Sequence, residues 1–222
     1  MSLESSNNSA SQYRLLLEVW TKPKKTIRYI VDTDPKKYVL ILAVLSGIYS
    51  IFGSFEEENI GDNLSLLSIS LISIVLGAIV GIITLYLFTW IYKLTGKWIG
   101  GKADYRELRA AYAWGSVPIV IVGSALIILK LIFFGKDIYT SEMLKIGSST
   151  FLSLLYVIFG IIELTAYIWT FVISLKVLGE VQGFSTWRAL GNLLLTILVV
   201  FVAVFIIVLV GMILFSNVAG YY

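Results

Sequence analysis

The residue in this chain best able to do chemistry is Glu163, which falls near the middle of an apolar stretch over 150–175. A charge at the centre of a bilayer costs at least ~2.5 kcal/mol on insertion scales. Around it, Ser149, Ser153, Tyr156, Gly160, Glu163, Tyr167, Thr170 and Ser174 recur at alternating spacings of four and three. On a helix that spacing puts them on one face, with Leu, Ile, Val, Phe and Trp on the others. Glu163, Tyr156, Tyr167 and Thr170 are therefore the candidate intramembrane polar site. No Lys or Arg is expected at the same depth, since Lys130 lies toward the outer end of its own stretch. A buried carboxylate without a counter-charge stays protonated or is held by hydroxyls. Such a group could hold a proton or cation, meet a partner's basic residue, or form an interhelical hydrogen bond.

The rest of the composition removes whole classes of reaction. The chain has no Cys and no His, which excludes thiol chemistry, imidazole acid–base catalysis and zinc sites built on those ligands. No Ser/Lys or carboxylate pair shares a depth, so no catalytic residue, metal ligand or cofactor is assigned, and no enzyme activity is expected.

The elements that carry Glu163 are long and apolar. Hydrophobic residues make up 58% of the chain and charged residues 14%, against about 25% charged in an average soluble domain. Five stretches, near 38–55, 64–92, 112–134, 150–175 and 189–215, are each long enough to cross a ~30 Å hydrocarbon core as a helix. The fold class expected is an all-α polytopic membrane protein, a five-helix transmembrane bundle. Residues 1–12 read as a disordered tail, 13–34 as a cytoplasmic interfacial segment and 35–222 as the membrane domain.

Basic residues fix the expected direction. Of the 17 Lys and Arg, all but Lys130, Lys136 and Lys145 fall before the first stretch or in the second and fourth connections. By the positive-inside rule the N-terminus is cytoplasmic and the C-terminus external. Lys22, Lys24, Lys25 and Arg28 are candidate contacts to an anionic lipid surface, on a segment whose Leu15, Leu16, Leu17, Val19 and Trp20 suit a helix lying on the leaflet.

Local signals refine the elements. Asp34-Pro35 reads as the start of the first span. Asp104 with Glu107 three residues on reads as a capping box. Pro118 sits inside the third stretch and invites a kink. Ser73, Gly77 and Gly81, with Gly160, are candidate helix-packing positions, and Ser46, Ser50 and Ser54 repeat the device in the first span. The seam at Ser73–Gly81 is expected to pack on the polar stripe, with Gly77 near Gly160. The second and fourth connections share Gly, a capping residue and Arg-Ala, which suggests parallel repeats.

Those connections also carry a resemblance. The segments WTKPKKTIRYI at 20–30, GGKADYRELRAAYAWGSVP at 100–118 and EVQGFSTWRAL at 180–190 resemble the Yip1 family of membrane proteins, in particular its prokaryotic members. The resemblance implies five spans, a cytoplasmic N-terminus and no catalytic residues. It also implies a role beside another membrane protein, an ABC-type exporter among the candidates. The function expected is a non-enzymatic adaptor in the cell membrane. Its partners would be the bilayer and another membrane protein or a second copy, and not nucleic acid. The alternative is a small oligomeric transporter or channel using the face around Glu163.

Overall fold

The computed structural model describes residues 14–219, with side chains as far as Ile213. The expected tail over 1–12 lies outside them. Among the described residues the ordered elements are helices: α1 (14–21), α2 (Pro23–Thr33), α3 (Val39–Glu57), α4 (Leu66–Trp98), α5 (Tyr105–Gly115), α6 (Val117–Phe133), the single turn α7 (Leu144–Gly147), α8 (Thr150–Gln182) and α9 (Thr186–Ala219). Helices α3, α4, α8 and α9 are each long and apolar enough to cross a membrane, and α5 and α6 are so only when taken together, as a pair bent by 41°. A chain this poor in polar side chains must satisfy its backbone within each segment, and helices do that without a neighbour.

Helix α8 lies at the centre, touching α2, α5, α6 and α9, while α3 lies along α4. The α3–α4 crossing explains the small residues. A Cβ on Gly47 would strike the Gly77 carbonyl, one on Gly77 would strike the Ile48 backbone, and one on Gly81 would strike the Ala43 carbonyl. Ser73 is buried in the same seam. So the seam packs on span one and not on the polar stripe. Gly160 has nothing within 4 Å of where its Cβ would stand, and is not a packing glycine within this chain. Span one contributes Ala43 and Gly47, whereas Ser50 and Ser54 face outward. Glycine spacing shows that a helix can be approached closely; it does not say by which neighbour.

Three boundaries differ from expectation. First, Asp34 closes α2, its backbone N–H donating to Ile30. Span one begins only at Val39, after Tyr38 in the left-handed region at φ 56°. Second, the segment before span one docks on protein. Leu15, Val19, Ile27 and Ile30 are buried in the same core as Leu108, Trp114, Val177 and Val181. Arg28 is pinned there too, its Nη2 donating to the Glu180 carbonyl at 2.8 Å and its Nε pairing with the Glu180 carboxylate at 3.4 Å. Arg28 is thus a latch from α2 to α8. Lys22, Lys24 and Lys25 remain exposed.

Third, span three is broken outright. Helix α5 starts at the expected capping box, where Asp104 accepts from the Glu107 backbone and Glu107 accepts from the Asp104 backbone. It stops at Gly115, one residue before Ser116, and α6 begins at Val117 with Pro118 in its first turn. Proline has no N–H to give, and the break also frees the N–H of Ile119. That donor goes to the Thr170 hydroxyl of α8 at 3.0 Å.

Candidate functional site

The charged centre of the bundle is assembled from three helices. Lys130 near the end of α6 places its Nζ 2.8 Å from Glu56 Oε2 at the end of α3, and 3.0 Å from Glu163 Oε2 of α8. Side-chain direction makes this meeting work. Helical side chains tilt toward their own N-terminus. Helices α3 and α6 both run toward the end of the bundle that carries the 134–149 connection, so Glu56 and Lys130 lean back into it. Helix α8 runs the other way, so Glu163 leans toward them. A lysine three residues from the end of α6 therefore reaches a carboxylate well inside α8.

Three tyrosines complete the cluster. Tyr49 of α3 donates to Glu163 Oε1 and stands 3.0 Å from the Tyr167 hydroxyl. Tyr156 donates to Glu56 Oε1 at 3.3 Å. Gly123 of α6 makes room, because a Cβ there would collide with the Tyr49 ring. The Lys130 side chain is 8% exposed, against 18% for Glu56 and 20% for Glu163. Just beyond the spans, burial and then the charge of Glu56 push the Tyr139 hydroxyl above the ordinary phenol range.

The structure thus corrects the reading of Glu163 as a carboxylate without a counter-charge. It is paired with Lys130 and also held by a tyrosine hydroxyl. Tyr167 and Tyr156 join the same cluster, while Thr170, on the same face, serves the broken span instead. Tyr49, Glu56 and Lys130 were missed. The available signal was directional: Glu56 and Lys130 each sit within a turn of a helix end from which the side chain points inward. Chemically, the arrangement sets one ammonium between two carboxylates. Breaking such a buried pair by removing one partner costs about 3–5 kcal/mol.

A second polar centre, without charge, lies at the opposite end of the bundle. Gln182 at the end of α8 donates to the Tyr92 carbonyl at 3.2 Å, and its Oε1 accepts from the Ala103 backbone at 3.3 Å. Asn192 of α9 donates to the same carbonyl at 3.4 Å, and the Thr95 and Thr196 hydroxyls lie 2.9 Å apart. Gly96 and Gly101 are needed here, since a Cβ on either would run into the Gln182 amide. Arg188 donates to the Ile99 carbonyl at 2.9 Å. The second and fourth connections therefore bind each other directly.

Residues 17–215 match the family model described as Yip1 domain. No curated protein and no solved structure gives a match.

Proposed function

The chain belongs to the Yip1 domain family, and from that premise we propose that it is a non-enzymatic adaptor that binds and organises another membrane protein in the cell membrane. An ABC-type exporter is the partner class that the family resemblance favours. The observation that carries this reading is the state of α9. Its first half packs on α4 and α8, but the residues from Phe201 to Met212 are exposed. Helices in a membrane associate through close van der Waals packing rather than through exclusion of water. Over 201–212 this span keeps its whole circumference available for such packing. The connections, by contrast, are compact and spent on one another.

Affinity purification of the full chain in mild detergent tests the proposal. A reproducible membrane-protein partner is expected, with photo-crosslinks from Ile206 or Val210 landing on it. Crosslinks from those positions to lipid alone would refute it. The two carboxylates that share Lys130 support a second reading, a proton-linked transporter. In that case Glu163→Gln abolishes flux in reconstituted vesicles. In the adaptor the same substitution leaves co-purification intact.

A further inference from the structure

The motif at 100–118 contributes two arginines that neither polar centre uses. A groove of about 370 Å³ opens between the start of α3, the second half of α4 and the start of α5, and its rim carries Lys36, Arg106 and Arg109. None of the three takes part in an ion pair among the described residues. The acids nearest in sequence are engaged by backbone. Asp34 accepts from the Lys36 N–H, Asp104 accepts from the Arg106 and Glu107 N–H groups, and Glu107 accepts from the Asp104 N–H. Arg109 is held by the face of Tyr86, 5.2 Å from the ring centroid. This leaves its guanidinium oriented without neutralising it.

Below the rim the groove changes character. Val39, Leu40 and Leu85 line it, at the level where span one begins. Three cations without an acidic partner, placed over an apolar wall at a helix–loop boundary, complement a molecule with an anionic head and a hydrocarbon tail. Free phosphate could use the rim but would gain nothing from the wall. Basic clusters beside a span attract anionic lipid headgroups, and arginine forks match phosphate oxygens.

We propose that this groove binds an anionic phospholipid. Its phosphate sits among Lys36, Arg106 and Arg109, and an acyl chain runs along Leu40. The site is separate from the exposed Lys22, Lys24 and Lys25 and does not depend on the adaptor reading.

The test is native mass spectrometry of the full chain, released from detergent after equilibration with phosphatidylglycerol or phosphatidylcholine. The unmodified protein is expected to retain phosphatidylglycerol selectively. Lys36→Gln with Arg106→Gln changes two exposed side chains and should leave helicity unchanged by circular dichroism. It should lower phosphatidylglycerol binding about fivefold per cation removed, with phosphatidylcholine unaffected. Lys24→Gln with Lys25→Gln should retain the lipid. Unchanged phosphatidylglycerol binding in the first variant, or an equal loss in the second, overturns the proposal. So does thermal stabilisation by inorganic phosphate alone equal to that by phosphatidylglycerol, which would assign the rim to a soluble anion.

Discussion

Two polar centres brace opposite ends of this bundle by different means. At one end Lys130 joins Glu56 and Glu163 across α3, α6 and α8. At the other, Gln182 and Asn192 share the Tyr92 carbonyl across α8, α9 and α4. The first works by charge, which tolerates imperfect geometry but penalises loss of the one cation that two carboxylates share. The second works by shape, since neutral amides gain little from one another unless Gly96 and Gly101 let the backbones close in. The contrast teaches that a membrane bundle can place an ion cluster where no charge repeat marks it in the sequence, and a neutral cluster that depends on glycines where two backbones close on one amide.

Lys130→Met tests the contrast hardest. It leaves two carboxylates facing each other, and a loss of about 3–5 kcal/mol is expected, read as a large fall in the thermal midpoint in detergent. Adding Glu56→Gln and Glu163→Gln to it should restore most of that loss. If Lys130→Met alone is neutral, the charged centre does not brace the helices.

Gly101→Ala is the counterpart at the neutral end. Its methyl group meets the Gln182 amide, for about 1–3 kcal/mol of overpacking. Combining it with Gln182→Ala should recover part of the stability. Additive losses in the double variant would show that the glycine serves another purpose.

Glu163→Gln is expected to be milder than Lys130→Met, at about 1 kcal/mol. The single amide oxygen can accept from either Tyr49 or Lys130, and Lys130 keeps a one-to-one partner in Glu56. Equal damage from the two substitutions would mean that Lys130 draws its worth mainly from Glu163. The smallest effect belongs to Thr95→Val, which removes the hydroxyl contact to Thr196 for ~0.6 kcal/mol, the average of such interhelical bonds. A thermal shift as large as that of Gly101→Ala would contradict the shape-based account.

Several features were legible in advance because they rest on local chemistry. The five apolar stretches follow from the cost of burying backbone in lipid, and the Asp104–Glu107 box from the unpaired amides of a helix start. The polar face of α8 follows from helical periodicity, which places Glu163, Tyr156 and Tyr167 together. The break at Ser116 was legible only as a kink, because its extent depends on whether a neighbour supplies an acceptor, as Thr170 does for Ile119.

Sequence alone determined that the chain is built of membrane-crossing helices, that α5 starts at Asp104 and which face of α8 is polar. Each of these is decided within a few residues of chain. The tertiary structure decided the partners. Gly77 and Gly81 meet Gly47 and Ala43 rather than Gly160, Arg28 meets Glu180 of α8, and Glu163 meets Lys130 rather than staying alone. Those choices depend on the directions in which neighbouring helices run and on how far a flexible side chain can reach across them, and no single helix carries that information.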